Sequence, residues 1–227
     1  PYDERRRPVH MIKFNYFTGE NGKTELVYMP FDSKVFGEDK SYAFIPLNQE
    51  QVVAKVKQLY AKLTKQDGYE PKDIMILSAY NKGDYGTISI NKAIQPIAND
   101  LKGKEVLKSG DNDFYKDDLV IQCVNNYKAK LYFENPSYED EEETFIPNGE
   151  IGVVCDISHN KMIVDFNGVK IEYTKDGLSQ LKLAYSISIH KCQGSQCKVV
   201  IVLTPKAHSY MLNANLVYVG VTRSQNK

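Results

Sequence analysis

The chain has 227 residues, of which 42% are hydrophobic and 26% charged, a balance that excludes a disordered polymer, a collagen and a coiled coil. Lys+Arg and Asp+Glu number 29 each, so net charge points to no polyanion and an acidic partner must be met by a local patch. No apolar run approaches the roughly 18 residues of a membrane span.

The start, Pro1-Tyr-Asp-Glu-Arg-Arg-Arg-Pro8, lacks a signal-peptide pattern, and a cytoplasmic location without membrane contact is the expectation. A first residue other than Met suits a processed chain or a piece of a longer one. Cys123, Cys155, Cys192 and Cys197 form no C-x-x-C pair and have no His at zinc-finger spacing. Reduced thiols and no metal site are expected.

In chain order, residues 10–30 read as a β-hairpin turning at Asn21-Gly22. Gly22-Lys23-Thr24 imitates the end of a phosphate-binding loop. Phe17 stands where that pattern needs its first Gly, and strand-like sequence follows where a helix is required. Residues 1–45 are therefore assigned to a hairpin and connecting segment.

Residues 48–66 predict a helix. Val52, Val56, Leu59, Tyr60 and Leu63 share one face, Asn48 and Gln51 cap it, and Asp67-Gly68 ends it. Asp73–Ser78 predicts a buried strand, with the loop Tyr80–Gly86 at its carboxyl end, where open α/β sheets bind ligands. A second helix over 88–102 is interrupted at Pro96.

From residue 111 to about 181, helical periodicity gives way to short strands at 118–124, 151–157, 161–166 and 169–173. Asn167-Gly168 supplies a two-residue hairpin turn, and the spacing predicts a small β-barrel. Glu134–Glu143 contains six acidic residues and reads as a solvated loop. After 181, strands at 184–189 and 198–203 precede a helix over 207–224, apolar on most sides. The predicted organisation is an α/β domain, 46–108 and 182–227, interrupted by a barrel at 109–181.

Two strings carry chemistry. Ala184–Gln196 places Ser188, His190, Lys191, Gln193, Gly194 and Ser195 on a turn between strands. Hydroxyls, a cation, amides and a flexible Gly suit phosphate and ribose contacts. Leu216–Ser224 ends an apolar run at Arg223. Such an Arg either stabilises charge on a transferring phosphoryl group or answers the carbonyl end of its own helix.

Ser-Ile-His-Lys-Cys-Gln-Gly-Ser-Gln (188–196), followed by Tyr-Val-Gly-Val-Thr-Arg-Ser (218–224), resembles the last two motifs of superfamily 1 helicases. The group is the RecD-like and UvrD-like one, which includes the exodeoxyribonuclease V alpha subunit. The segment from Ile76 through Asn91 and Gln95, the run Asp118–Tyr127 and the run Asn148–Val154 resemble further blocks of that family, in the same order. Together they cover about residues 48–227.

The resemblance implies a second RecA-like lobe, without its own P-loop, interrupted by an SH3-like barrel. It implies ATP-driven translocation on single-stranded DNA, with ATP and Mg bound mainly by an absent N-terminal lobe. Arg223 is implied as the arginine finger. Gln193, Gly194, Ser195 and Gln196 are implied at the nucleotide. Ser78, Asn81, Lys82, Ser188, His190 and Lys191 are implied on the DNA. Gln196 replaces the family's Glu, and Ala214 stands where Arg is common. These departures favour the alternative, a non-catalytic nucleic-acid or protein interaction module built on a helicase lobe. A third reading makes His190 and Cys192 or Cys197 a nucleophilic pair.

Overall fold

The computed structural model describes residues 45, 47–133 and 142–225 in full, and the backbone alone of β1 (Phe14–Thr18) and β2 (Thr24–Tyr28). These two pair antiparallel, Phe14 opposite Tyr28 and Thr18 opposite Thr24. The turn at Asn21-Gly22, the Gly22-Lys23 of the phosphate-loop imitation and residues 134–141 of the acidic loop lie outside the described residues.

The α/β part is built on β3 (Ile74–Ser78), whose five residues are all buried. It lies between β13 (Ser186–Ser188) and β14 (Val199–Val202), parallel to both. An apolar run without alternation is what a strand covered on both faces requires. Helix α1 (Val52–Lys65) buries Val56 and Tyr60, and α2 (Thr87–Ala98) buries Ile90 and Ile94. Helix α2 stops at Ala98, short of the expected 102, with Pro96 in its last turn.

The expected helix over 207–224 is corrected. Only α3 (Ala214–Val221) is α-helical, after a 3-10 turn at Lys206–His208. Leu216 N donates to Asn213 Oδ1 at 2.8 Å, so Asn213 is the N-cap and starts the helix there. Nor is α3 buried all round, since Tyr218 is half exposed. Gly220 lets it press on the sheet: a Cβ there would lie 3.3 Å from Val202 Cγ2 and 3.4 Å from Leu77 Cδ1.

Between α2 and β13 lies a β-rich insert. A hairpin of β4 (Leu107–Ser109) and β5 (Asn112–Phe114) leads in. Next come β6 (Leu119–Gln122), β7 (Asn126–Leu131), β8 (Glu143–Ile146), β9 (Ile151–Ser158), β10 (Lys161–Phe166), β11 (Val169–Thr174) and β12 (Leu181–Leu183). They form one antiparallel sheet in the order β12-β6-β9-β10-β11-β7-β8. The order is linear, and among the described residues its edge strands β12 and β8 are not paired with each other. The sheet extends to Leu183, past the expected boundary at 181. Glu143, expected in the acidic loop, opens β8.

Asn167 and Gly168 both have positive φ, 52° and 94°, as a two-residue hairpin between right-twisting strands needs. His159 and Asn160 make the turn before it in the same way, at 49° and 62°.

Candidate nucleic-acid and nucleotide interface

The segment after Ser78 and the first of the two strings meet at the carboxyl ends of β3 and β13. Ser78 and Ser188 are register partners, and Ile189 N donates to Ser78 O at 3.0 Å. The loop after β3 is tightly tied. Ser78 Oγ donates to Tyr85 O at 2.7 Å, Thr87 Oγ1 to Asn81 Oδ1 at 3.0 Å and Ser89 Oγ to Gly83 O at 2.8 Å. A Cβ on Gly86 would collide with Lys82 O, so the turn closes only around glycine. The result presents Asn81 and Lys82 to solvent. Ser78 is corrected as a contact residue: it is fully buried and its hydroxyl serves the loop.

After β13 the chain makes a compact turn. Lys191 N donates to Ser188 O at 2.9 Å, and Ser195 N to Cys192 O at 3.1 Å. Ile189 and Cys192 point inward, which leaves His190 exposed and Lys191 half-buried. Gly194, at φ 89°, turns the chain back toward the amino end of β14, with Gln193 and Gln196 exposed and Ser195 half-buried.

Arg223 is tied to that same stretch. Cys197 N donates to Arg223 O at 3.0 Å, and Gln225 N to Cys197 O at 2.8 Å. Its guanidinium answers its own helix: Nε donates to Val219 O at 3.1 Å and Nη2 to Thr222 Oγ1 at 3.4 Å. Arg223 thus lies against the stretch that enters β14, and Gln193–Gln196 form the connection that leads there from the turn after β13. Asn81, Lys82, Ser188, His190 and Lys191 gather at the carboxyl-terminal edge.

The insert reaches the second group. Gly149, at φ 97°, turns so closely that a Cβ there would lie 4.0 Å from Lys191 O. Asn148 N donates to Asn125 Oδ1 at 2.9 Å, which fixes this turn against the residue that precedes β7.

The nucleophilic reading fails on burial. Cys192 and Cys197 are both buried, and burial pushes both thiols up, away from the reactive thiolate. For Cys192 the Arg223 charge opposes that shift. Gln193, Ser195 and Gln196 are neutral hydrogen-bonding groups, suited to sugar hydroxyls and phosphate oxygens. Among the described residues, no three His, Cys, Asp or Glu side chains gather where a metal ion would be held.

His208 had no signal in the sequence. Its buried ring packs on Tyr80 at 4.7 Å and Tyr85 at 6.2 Å, beneath the loop that carries Asn81 and Lys82. Its Nδ1 has no hydrogen-bond partner, and burial lowers its pKa below the ordinary 6.5. Above about pH 6.5 both folded and unfolded histidines are neutral. Below it the unfolded state takes up the proton first, so stability falls with pH until the folded pKa is passed. Thermal melting across this range is expected to show an acid loss that His208→Phe diminishes.

Residues 183–227 match the UvrD-like helicase C-terminal domain family. Relatives extend the likeness upstream. The ATP-dependent RecD2 DNA helicase of Deinococcus radiodurans is 27% identical over 157 residues, 69% of this chain and 20% of that protein. The RecBCD enzyme subunit RecD of Buchnera aphidicola subsp. Acyrthosiphon pisum is 22% identical over 225 residues, 89% of this chain and 33% of that protein.

The chain is similar to the C-terminal part of superfamily 1 RecD-like helicases.

It spans a third or less of the length of these two relatives. Among solved structures, the Pif1 helicase from Bacteroides in complex with ADP-AlF3 and ssDNA has a TM-score of 0.42 at 16% identity, covering 75% of this chain and 43% of that one. A likeness that low carries no weight for function. Among the described residues, no helix of this RecD-like chain is long and apolar enough to cross a membrane.

Proposed function

We propose that this chain is the second RecA-like lobe of an ATP-dependent DNA helicase, interrupted by an SH3-like insert, and that it acts with a separate lobe that cradles ATP and Mg. What supports this reading is that the RecD-like motifs gather around one sheet, the loop after β3 beside the turn after β13 and Arg223 tied to Cys197 ahead of β14. His190, Lys191, Asn81 and Lys82 form a short polar and cationic ledge at the carboxyl edge, suited to the backbone of single-stranded DNA. Gln193–Gln196 and, tied to Cys197 just beyond them, Arg223 suit a nucleotide held mainly by the other lobe. The relatives' names agree in kind, since RecD2 is an ATP-dependent DNA helicase.

Such a ledge holds few phosphates, so affinity is weak and salt-dependent. Fluorescence anisotropy with labelled oligo(dT) is expected to show binding that weakens about tenfold between 50 and 200 mM salt, the slope of roughly two phosphate contacts. Lys82→Ala combined with Lys191→Ala should flatten that slope. Salt-independent binding, or an unchanged slope in the double variant, would remove this ledge as the DNA track.

The non-catalytic module remains the second reading, favoured by Gln196 and by Ala214, which is exposed at the first turn of α3. Hydrolysis of ATP by the full-length protein separates the two.

A further inference from the structure

Three amide side chains of α2 hold both ends of the insert. Asn91, Gln95 and the C-cap Asn99 are spaced four residues apart along one stripe, and all are buried. Asn91 clamps the chain where it leaves the insert. Its Nδ2 donates to Leu183 O at 3.0 Å and Ser186 O at 2.8 Å, and its Oδ1 accepts from Ser186 N at 2.8 Å. Where the chain enters, Gln95 Nε2 donates to Asp113 O and Asn99 Nδ2 to Lys116 O, each at 2.8 Å.

Between entry and exit lies Asp118, fully buried. Its carboxylate accepts from Gln95 Nε2 at 2.6 Å, Asn99 Nδ2 and Tyr115 N at 2.8 Å, and Tyr185 Oη at 2.9 Å. Tyr115 belongs to the entry, Tyr185 to the exit, Gln95 and Asn99 to the helix. One side chain therefore joins all three. Burial raises the Asp118 carboxyl, and the donors from Asn99, Tyr115, Gln95 and Tyr185 pull it back.

Apolar surfaces in contact tolerate a few degrees of rotation. Four hydrogen bonds converging on one carboxylate do not, because each weakens steeply as its angle closes. We infer that Asp118 is a positioning residue, which locks the seven-stranded insert to α2 in one orientation and so holds the Asn148-Gly149 turn beside Lys191. Its bearing on DNA rests on the function proposed above; the locked orientation does not.

The test is a spin-label distance distribution between exposed Lys57 on α1 and exposed Lys175 in the insert, each replaced by a labelled unnatural amino acid. The wild-type chain is expected to give one narrow distance. Asp118→Asn keeps the shape but puts an N–H pair where donors converge. It is expected to broaden or displace that distance at a temperature where circular dichroism is unchanged.

Gln122→Leu is the control for plain destabilisation. It removes bonds internal to the insert, to Tyr173 Oη at 2.8 Å and Gln180 Oε1 at 2.9 Å, and should lower the melting temperature while leaving the distance alone. A wild-type distribution in Asp118→Asn overturns the inference. If that variant does not fold, Asn91→Ala opens the exit clamp alone and is read by the same criterion. The distances are recorded without DNA, so a wild-type chain that bound no oligonucleotide would sink the proposed function and leave this result standing.

Discussion

Arg223→Ala in the full-length protein is expected to reduce DNA-stimulated ATP hydrolysis by about a thousandfold or more, the scale of a lost arginine finger. Oligo(dT) affinity should hold, because Arg223 lies against the stretch that enters β14 and is not part of the ledge that carries His190 and Lys191. In the structure the guanidinium rests on Val219 O and Thr222 Oγ1. Both partners are neutral oxygens, and a charged phosphate is the stronger acceptor for a guanidinium. The backbone is already placed, since Arg223 O is tied to Cys197 N and α3 is seated on the sheet through Gly220. Only the side chain has to swing. Arg223→Lys should do almost as badly as alanine, because an ammonium lacks the planar fork that grips two oxygens at once. Phosphate release at saturating oligo(dT) decides the matter. If the alanine variant retains more than about a tenth of the activity, the finger role of a group worth orders of magnitude is gone. Arg223 is then a helix-end residue, and its loss should appear in the melting temperature alone.

Gly152→Val is expected to destabilise the insert by something on the order of 3 kcal/mol, at the upper end for overpacking. A Cβ at Gly152 would sit 2.7 Å from Asp165 O, 2.7 Å from Val164 Cγ1 and 2.8 Å from Phe166 Cδ1. The oxygen belongs to β10, which pairs with β9 on one side and β11 on the other, so it cannot retreat without straining a ladder. The two side chains are core residues with no open space to move into. Urea unfolding is the measurement. A midpoint shift equivalent to less than about 0.5 kcal/mol, the range of ordinary surface substitutions, would contradict this account.

The sequence revealed best what depends on apolar period and turn chemistry. The helix over 48–66 appears as α1, and the strands at 73–78, 161–166 and 169–173 appear as β3, β10 and β11. Asn167-Gly168 turns as its residues require. Strands β7 and β8 were missed because Asn126–Leu131 and Glu143–Ile146 show no apolar run; each owes its place to its neighbours. The helix over 207–224 was drawn too long because apolar content was counted and the capping side chain of Asn213 was not. Of the site, the two strings were legible through their resemblance to helicase motifs. The bond that joins them, Cys197 N to Arg223 O, was not, since it follows from how α3 packs beside β14. Ser78 was placed on the DNA by the family resemblance, and only packing shows it turned inward. The Asp118 joint was invisible, because its partners come from three separate stretches of chain.

The place of the insert also governs how the molecule comes to fold. Strand β3 finds its neighbours only far downstream: Ile76 is register partner to Ser186, and Ile74 to Val199. Everything from α2 through β12 is made before either partner exists. The insert, by contrast, is rich in local hairpins, with β9, β10 and β11 following one another directly. Local contacts form first and long loops close late. During synthesis, then, the insert condenses while a largely apolar strand waits unpaired behind it, the kind of exposed segment that chaperones shield. Once the insert is formed, its entry and exit lie side by side, and the closure that remains for β3 is short.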